Sequence, residues 1–160
     1  MAVPLPDAAF RVQEHLRANG CAAEVVELPG GTRTAADAAK AVGCDVAQIA
    51  KSIVFRAASG RSVLIVASGA HRVDEAAVAA LLGEPIGKAS PEFVREKTGY
   101  AIGGVPPVAH TTPPVVFVDE DLLELGTIWA AAGTPMTVFP VAPDELVRLT
   151  GGRVARVGAG

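Results

Sequence analysis

The chain has 160 residues, of which half are apolar and 19% are charged. This size and composition are typical of one folded domain, so we treat residues 1–160 as a single unit and exclude a disordered segment. The formal net charge is −3, and the basic residues are spread along the chain. A protein that grips a long stretch of DNA or RNA usually has a basic face, so any nucleic-acid contact should be local, such as a strand end.

The two cysteines, Cys21 and Cys44, lack the spacing of metal ligands and are typical of a protein in a reducing compartment. We expect both to be small buried hydrophobes. The N-terminus has no basic region followed by an apolar core, which predicts no signal peptide. The uncharged stretch 126–143 contains Gly133 and Pro135 and predicts two strands and a turn instead of a membrane helix. We therefore expect a cytoplasmic protein without membrane contact.

The first half of the chain predicts helices around a hairpin. The spacing of Ala8, Val12 and Leu16 indicates a helix that begins at Asp7 and ends at Gly20. A strand candidate follows at 22–28, and Thr34 begins a short helix that ends before residue 43. A further helical turn follows at 45–48. Two strands at 52–58 and 61–68 are joined by a Ser-Gly turn, and the second is apolar on both faces, as in a central strand.

The second half alternates helices and isolated strands. Helices are predicted at 73–82, 90–97 and 143–149, and strands at 115–118, 127–131, 136–139 and near 154–157. Periodicity is lost between Thr98 and Pro114, in a segment rich in glycine and proline, and such long loops are usually functional. Together these elements predict an α+β fold, in which helices cover a mixed, largely antiparallel and barrel-like sheet.

Lys51 is the most informative single residue. Alternate side chains of a strand share a face, so Lys51 lies on the same face as Ile53 and Phe55. If that face is interior, Lys51 enters the interior at the mouth of its strand, where an isolated buried charge is costly without a partner or pocket. The alternative is that Lys51 ends its strand and extends its ammonium to water.

The segment 99–107 contains the paired glycines Gly103 and Gly104, followed by Pro106. Glycines allow close approach of backbone to a ligand, and exposed N–H groups can bind phosphate or the oxyanion of an ester under attack. The alternative is a structural turn, because the spacing matches neither the dinucleotide fingerprint nor the Walker loop.

The histidines and acidic residues give weaker signals. His110 lies in the irregular loop and is equally consistent with an acid–base group or a structural residue, whereas His71 is expected to be structural. The acidic run from Asp119 to Glu124 is expected to be a solvated face or a helix start. No spacing of ligands joins these residues, so the sequence predicts no metal site and no cofactor.

Taken together, four segments resemble the YbaK/prolyl-tRNA-synthetase-associated family, from about Thr34 to Val157. They are 48–55 with Lys51 opening its strand, 99–107 with the Gly-rich loop, 116–123, and 132–135 followed by 143–146. Their order and spacing carry the resemblance.

The resemblance implies hydrolysis of the ester between an incorrect amino acid and the 3′ adenosine of a tRNA, and we expect that tRNA to be proline tRNA or a related tRNA. The chain has no synthetase catalytic domain, so it would act in trans, with an aminoacyl-tRNA synthetase as a further partner. Lys51 matches the essential lysine of the family, Gly103, Gly104 and Pro106 match its substrate-holding loop, and Gly133 matches another pocket wall. We add His110 to the predicted substrate-binding residues because of its place in the loop.

The sequence departs from two subgroups of the family. Members specific for cysteine have a serine and basic residues where this chain has 130–135, and members specific for alanine resemble Phe-His-Pro where this chain has 138–140. The amino acid removed, the tRNA set and the oligomeric state therefore stay open. Two other functions compete with the deacylase. One is a non-catalytic adaptor that binds a tRNA end or a nucleotide, and the other is an unrelated esterase, disfavoured because no nucleophile elbow is present.

Overall fold

The computed structural model describes residues 5–30 and 34–159, and within them the chain forms five helices and ten strands. The helices are α1 (Asp7–Ala18), α2 (Ala35–Val42), α3 (Glu75–Leu82), α4 (Pro91–Thr98) and α5 (Pro143–Thr150). The strands are β1 (Val26–Glu27), β2 (Ile49–Ala57), β3 (Ser62–Ser68), β4 (Arg72–Val73), β5 (Ile86–Lys88), β6 (Val115–Asp119), β7 (Ile128–Ala131), β8 (Thr137–Val141), β9 (Arg153–Ala155) and β10 (Gly158–Ala159).

The helix starts follow from side-chain caps. The Thr34 hydroxyl accepts the N–H of Asp37 at 3.1 Å at the start of α2, and the Ser90 hydroxyl accepts the N–H of Phe93 at 3.1 Å at the start of α4. These two predicted starts are confirmed. Helix α3 begins two residues later than expected because Asp74 caps it, and the residues before Asp74 form β4, which pairs with β10.

Eight strands form one mixed sheet in the order β1-β8-β7-β2-β3-β6-β9, with β5 also pairing with β2. Among the described residues, this sheet has four antiparallel pairings and three parallel ones. The α+β fold with a mixed sheet covered by helices is therefore confirmed. Strand β3 lies between β2 and β6 and every one of its residues is buried, as its apolar run predicts.

The two faces of the sheet carry separate cores. One face packs Leu64 and Val66 of β3 against α1, α5 and Phe139. The other face packs Val63 and Ile65 against α3, Phe55 and Phe117. Cys21 is buried in the first core, as expected, whereas Cys44 is only half-buried. In the part of the chain described here, no helix has the length and apolar content needed to cross a bilayer.

Candidate active site

The edge of β2 opposite β3 is divided between two partners, and a cavity lies where it changes partner. Strand β2 pairs with β7 at Ile49 and Ala50, and with β5 at residues 55–57. Residues 51–54 pair with neither of these strands along this edge. A cavity of about 380 Å³ opens beside them. Its lining comes from α2, β2, the Gly-rich loop, β7 and β8, namely Thr34, Ala35, Ala38, Val42, Ile49, Ala50, Lys51, Ser52, Ile53, Gly103, Val105, Trp129, Ala130, Ala131 and Val138.

Lys51 is the cation of this cavity. Its ammonium donates a hydrogen bond to the carbonyl oxygen of His71 at 2.6 Å, and its side chain is half-buried. Burial lowers the pKa of the Lys51 ammonium below its ordinary value, and the carboxylate of Asp119 partly opposes that shift. The ammonium therefore has a fixed acceptor and a nearby counter-charge at the cavity, which is the partner that the strand pattern requires.

Asp119 lies two strands away from Lys51 on the same face of the sheet. Lys51 pairs with Ala67 of β3. Val66 pairs with Val118 in a parallel ladder, so the next residues along, Ala67 and Asp119, are also neighbours. Asp119 is only 1% exposed. Its two carboxylate oxygens accept the N–H groups of Ser68 and Asp121, each at 3.0 Å. Because the side chain of Ala67 is small, it does not separate Lys51 from Asp119, and the two charges interact across β3.

The expectation for the acidic run is only partly right. Asp119 caps a 3₁₀ turn at 120–124, so the run is a helix start as predicted. Asp119 itself is not on a solvated face, because the two backbone N–H groups and the charge of Lys51 stabilise its burial.

The turn after β3 holds the acceptor of Lys51 in place. The His71 ring shares a hydrogen bond of 2.7 Å with the carboxylate of Asp121, and the His71 N–H donates to the Ser68 carbonyl at 3.0 Å. A side chain at Gly69 would lie 2.4 Å from the Val46 carbonyl oxygen, so this turn packs tightly against the 3₁₀ turn that precedes β2. His71 is structural as expected, and its backbone carbonyl reaches the site.

His71, Asp119 and Asp121 place one ligand atom each within 4.8 Å of one another. Hydrogen bonds inside the group and the ammonium of Lys51 account for this closeness. The group therefore serves to orient Lys51, and we assign no metal to it.

The Gly-rich loop joins Lys51 at the cavity through Gly103, which is exposed and has a φ of 98°. Gly104 is buried, and a side chain there would lie 2.7 Å from Cα of Thr134. Gly133 packs in the same way against the backbone of α1, where a side chain would lie 2.8 Å from the Ala8 carbonyl oxygen. Gly104 and Gly133 thus bring backbones together, and their predicted contact with substrate stays a prediction.

His110 does not join Lys51 at the cavity. It lines a separate groove between α1 and the second half of the loop, with Arg11 and His15 on the opposite wall. Its Nε2 donates to the carbonyl oxygen of Pro106 at 2.7 Å, while Nδ1 is buried and has no hydrogen-bond partner among the described residues. Burial lowers the pKa of the His110 ring, with the bond to Pro106 partly opposing that shift. The hydrogen bond between His110 and Pro106 therefore stiffens the loop on the side away from the Lys51 cavity. The predicted contacts of these two residues with substrate stay predictions.

Sequence reasoning missed three contributors to the site. Asp119 was hidden in an acidic run, although it shares strand parity with the buried Phe117. The small residues of α2 line the cavity, a role that no local pattern distinguishes from ordinary core packing. Trp129 is half-buried at the cavity wall, although a tryptophan in a strand is usually a core residue.

Comparison with known proteins places this arrangement in a family. The aminoacyl-tRNA editing domain matches residues 30–149. A solved structure described as a proposed trans-editing enzyme for prolyl-tRNA synthetase is 49% identical with a TM-score of 0.93, and the match covers 98% of this chain and all of that one. The solved structure of the hypothetical protein APE2540 is 32% identical with a TM-score of 0.87, over 93% of this chain and 99% of that one.

A curated relative extends the match. The uncharacterized protein YwhH of Bacillus subtilis (strain 168) is 32% identical over 123 residues, which are 77% of this chain and 78% of the relative. The resemblance to YbaK-like proteins that the sequence indicated is therefore confirmed. The chain belongs to the aminoacyl-tRNA editing domain family.

Proposed function

We propose that this protein is a trans-acting deacylase that hydrolyses the ester of a mischarged aminoacyl-tRNA. The observation that carries the proposal is the Lys51 ammonium, held by the His71 carbonyl beside a small cavity. Membership in the editing-domain family supports the same reaction, and the relative described as a proposed trans-editing enzyme supports prolyl-tRNA synthetase as the functional partner. We expect the protein to act in the cytoplasm, where aminoacyl-tRNA is made.

The proposed selection is for a small amino acid with few polar groups. Alanine side chains from α2 and β7 form much of the cavity wall, and Trp129 and Val138 are its bulkier apolar members. Polar groups are few, since among the described residues only Thr34, Lys51, Ser52 and the indole N–H of Trp129 supply polar side-chain atoms to the lining. Such a cavity would select by excluding larger residues, as editing sites do when binding energy alone cannot discriminate.

The proposed mechanism is direct attack by water. The water oxygen bonds to the ester carbonyl carbon, the bond from that carbon to the ribose oxygen breaks, and the ribose oxygen takes up a proton. The products are a free amino acid and an uncharged tRNA. Lys51 positions the ester by charge and hydrogen bonding and does not act as a nucleophile, and the free ribose hydroxyl orients the water.

The loop could supply one oxyanion donor. The N–H of Gly104 donates to the Ala101 carbonyl at 3.1 Å and is therefore already occupied. The N–H of Gly103 has no acceptor within hydrogen-bonding distance among the described residues, and Gly103 lines the cavity. We therefore propose that the Gly103 N–H and the Lys51 ammonium stabilise the negative charge that develops on the ester carbonyl oxygen.

The test is single-turnover hydrolysis by the pure protein of a panel of aminoacyl-tRNAs. Alanyl-, seryl- and cysteinyl-tRNA represent small residues, and prolyl- and phenylalanyl-tRNA represent larger ones. We expect hydrolysis of at least one small member and no hydrolysis of phenylalanyl-tRNA. Tight binding of tRNA without hydrolysis of any member would contradict the proposal and favour the non-catalytic adaptor.

A further inference from the structure

A second hollow adjoins the Lys51 cavity on the other side of the Gly-rich loop. It has a volume of about 450 Å³. Four residues, Ser52, Ile53, Gly103 and Val105, line both spaces and form a thin partition between them. The rest of its lining is mainly apolar, from Val54, Phe55, Ala89, Val94 and Ile102, with Lys88 and Glu75 as its charged members.

The covalent structure of the proposed substrate requires the terminal ribose and its base to lie next to the amino acid. An aminoacyl ester is attached to the ribose of the terminal nucleotide, and the base is attached to the same ring. If the amino acid occupies the Lys51 cavity, the ribose lies at its mouth and the base lies one sugar ring away. A hollow that shares a wall with the Lys51 cavity meets this requirement.

We infer that the second hollow binds the base of the 3′-terminal nucleotide, with its ribose at the partition and its phosphate at Lys88. This inference rests on the proposed function, because the amino acid must occupy the Lys51 cavity. A flat apolar base suits the aliphatic and aromatic walls, as in other sites that bind unstacked bases. Lys88 is exposed and supplies a cation for the phosphate, and Glu75 supplies an acceptor for an exocyclic amine.

Two further observations favour a ligand here. The Ser52 hydroxyl lies in the partition, is buried and has no hydrogen-bond partner among the described residues. Rotation about χ1 to another staggered position would let this hydroxyl bond a ribose hydroxyl. Ile102 is 58% exposed at the rim of the hollow and gives a base an apolar surface to cover.

The test is binding of AMP to the full chain, followed by methyl NMR. We expect saturable shifts of the Ile53, Val54 and Ile102 methyl groups, and binding of ribose 5-phosphate to be weaker by about tenfold because it lacks the base. Ile102→Asp should weaken AMP binding by about tenfold through lost apolar contact and repulsion of the phosphate. Met136→Asp is the matched control, because Met136 is 46% exposed and does not line either space.

Ser52→Ala gives a finer test. We expect it to weaken AMP binding by about threefold to tenfold, and to weaken binding of 2′,3′-dideoxy-AMP little, because the lost hydrogen bond is to a ribose hydroxyl. Shifts confined to the Lys51 cavity or the His110 groove, or equal AMP affinity of wild type and a folded Ile102→Asp, would overturn the inference.

The two proposals can fail separately. If the protein hydrolyses a mischarged tRNA but Ile102→Asp leaves AMP affinity and half-saturation by that tRNA unchanged, the base site is wrong and the deacylase stands. If AMP binds in the hollow with the expected variant effects while no aminoacyl-tRNA is hydrolysed, the nucleotide site stands and the deacylase is wrong.

Discussion

The Lys51 cavity and the His110 groove contain the two polar side chains that the sequence singled out most clearly, yet they differ in how those side chains are used. Lys51 donates to a carbonyl of a neighbouring turn, and its charge faces a small cavity beside a buried carboxylate. His110 donates to Pro106 in its own loop, and burial lowers the pKa of its ring. The difference shows that a polar residue in a loop can serve the loop itself, whereas a cation on a core-facing strand needs an outside partner.

The largest effect is expected from removal of the Lys51 ammonium. Lys51→Ala should lower single-turnover deacylation by about tenfold or more, because positioning and charge stabilisation are both lost. Lys51→Arg should recover little of the activity, since a planar guanidinium does not replace a compact ammonium. Folding should be nearly unchanged in both variants, which thermal melting checks.

Lys40→Ala is the matched control for this comparison, because Lys40 lies on the exposed side of α2 and does not line the cavity. It should retain the wild-type rate. Wild-type deacylation by a well-folded Lys51→Ala protein would move the chemistry to the loop backbone or to the His110 groove.

The second effect concerns the contact that holds the loop beside the cavity. Gly104→Ala would place a methyl group 2.7 Å from Cα of Thr134, so the two backbones must separate. We expect a loss of about 1–3 kcal/mol in the free energy of unfolding, as in other overpacked sites. Urea unfolding measures it, with Gly126→Ala as the control because nothing lies within 4 Å of its added side chain. Equal stability of Gly104→Ala and wild type would refute the close packing.

The Lys51 environment could be predicted only in part from the sequence. Strand parity placed Lys51 at the mouth of an interior face, because Ile53 and Phe55 follow it at every second position. Parity alone does not give the register between β2, β3 and β6, and that register brings Asp119 to Lys51 across Ala67. An acidic run is also a good predictor of solvent exposure, which concealed the buried carboxylate of Asp119.

Short elements and packing contacts escaped prediction for a related reason. Strand β5 has three residues and no visible periodicity, since its formation depends on pairing with the end of β2. The face that α2 turns to the cavity depends on tertiary packing, because alanines occur around most of the helix. The five helices of the described residues, the β2–β3 hairpin and the irregular loop carry their own local signals and were predictable.

A third prediction concerns the pH dependence of deacylation. The reaction needs protonated Lys51, whose pKa burial lowers and Asp119 raises, so activity should fall as pH increases towards the ordinary lysine range. Asp119→Asn removes the raising charge, lowers the pKa of Lys51 further and should move this alkaline limb to lower pH. The measurement is a pH–rate profile corrected for uncatalysed ester hydrolysis.

Asp121→Asn is the control for that shift, because Asp121 is exposed and contacts His71 instead of Lys51. It should move the alkaline limb less. An unchanged limb in a folded Asp119→Asn protein would show that the buried carboxylate does not act on Lys51.

The smallest effect is expected in the His110 groove. The pKa of His110 lies below its ordinary value near 6.5 in the folded protein, so the unfolded chain binds more protons between the two values. Stability should therefore decrease as the pH falls through that window, and His110→Gln should reduce the decrease. Urea unfolding across pH tests this, with His15→Gln as control, and an unchanged pH slope in His110→Gln would contradict it.

Fluorescence of Trp129 tests the central claim most directly, because it is the single tryptophan and it lines the Lys51 cavity. The ligand is an adenosine that carries a small amino acid through a non-hydrolysable amide in place of the ester. If the Lys51 cavity binds the amino acid, Trp129 emission should change saturably on titration, and Lys51→Ala should weaken the apparent affinity while His110→Gln should not. Binding that leaves Trp129 emission unchanged and shifts the His110 ring resonances would contradict the account and place the ligand in the His110 groove.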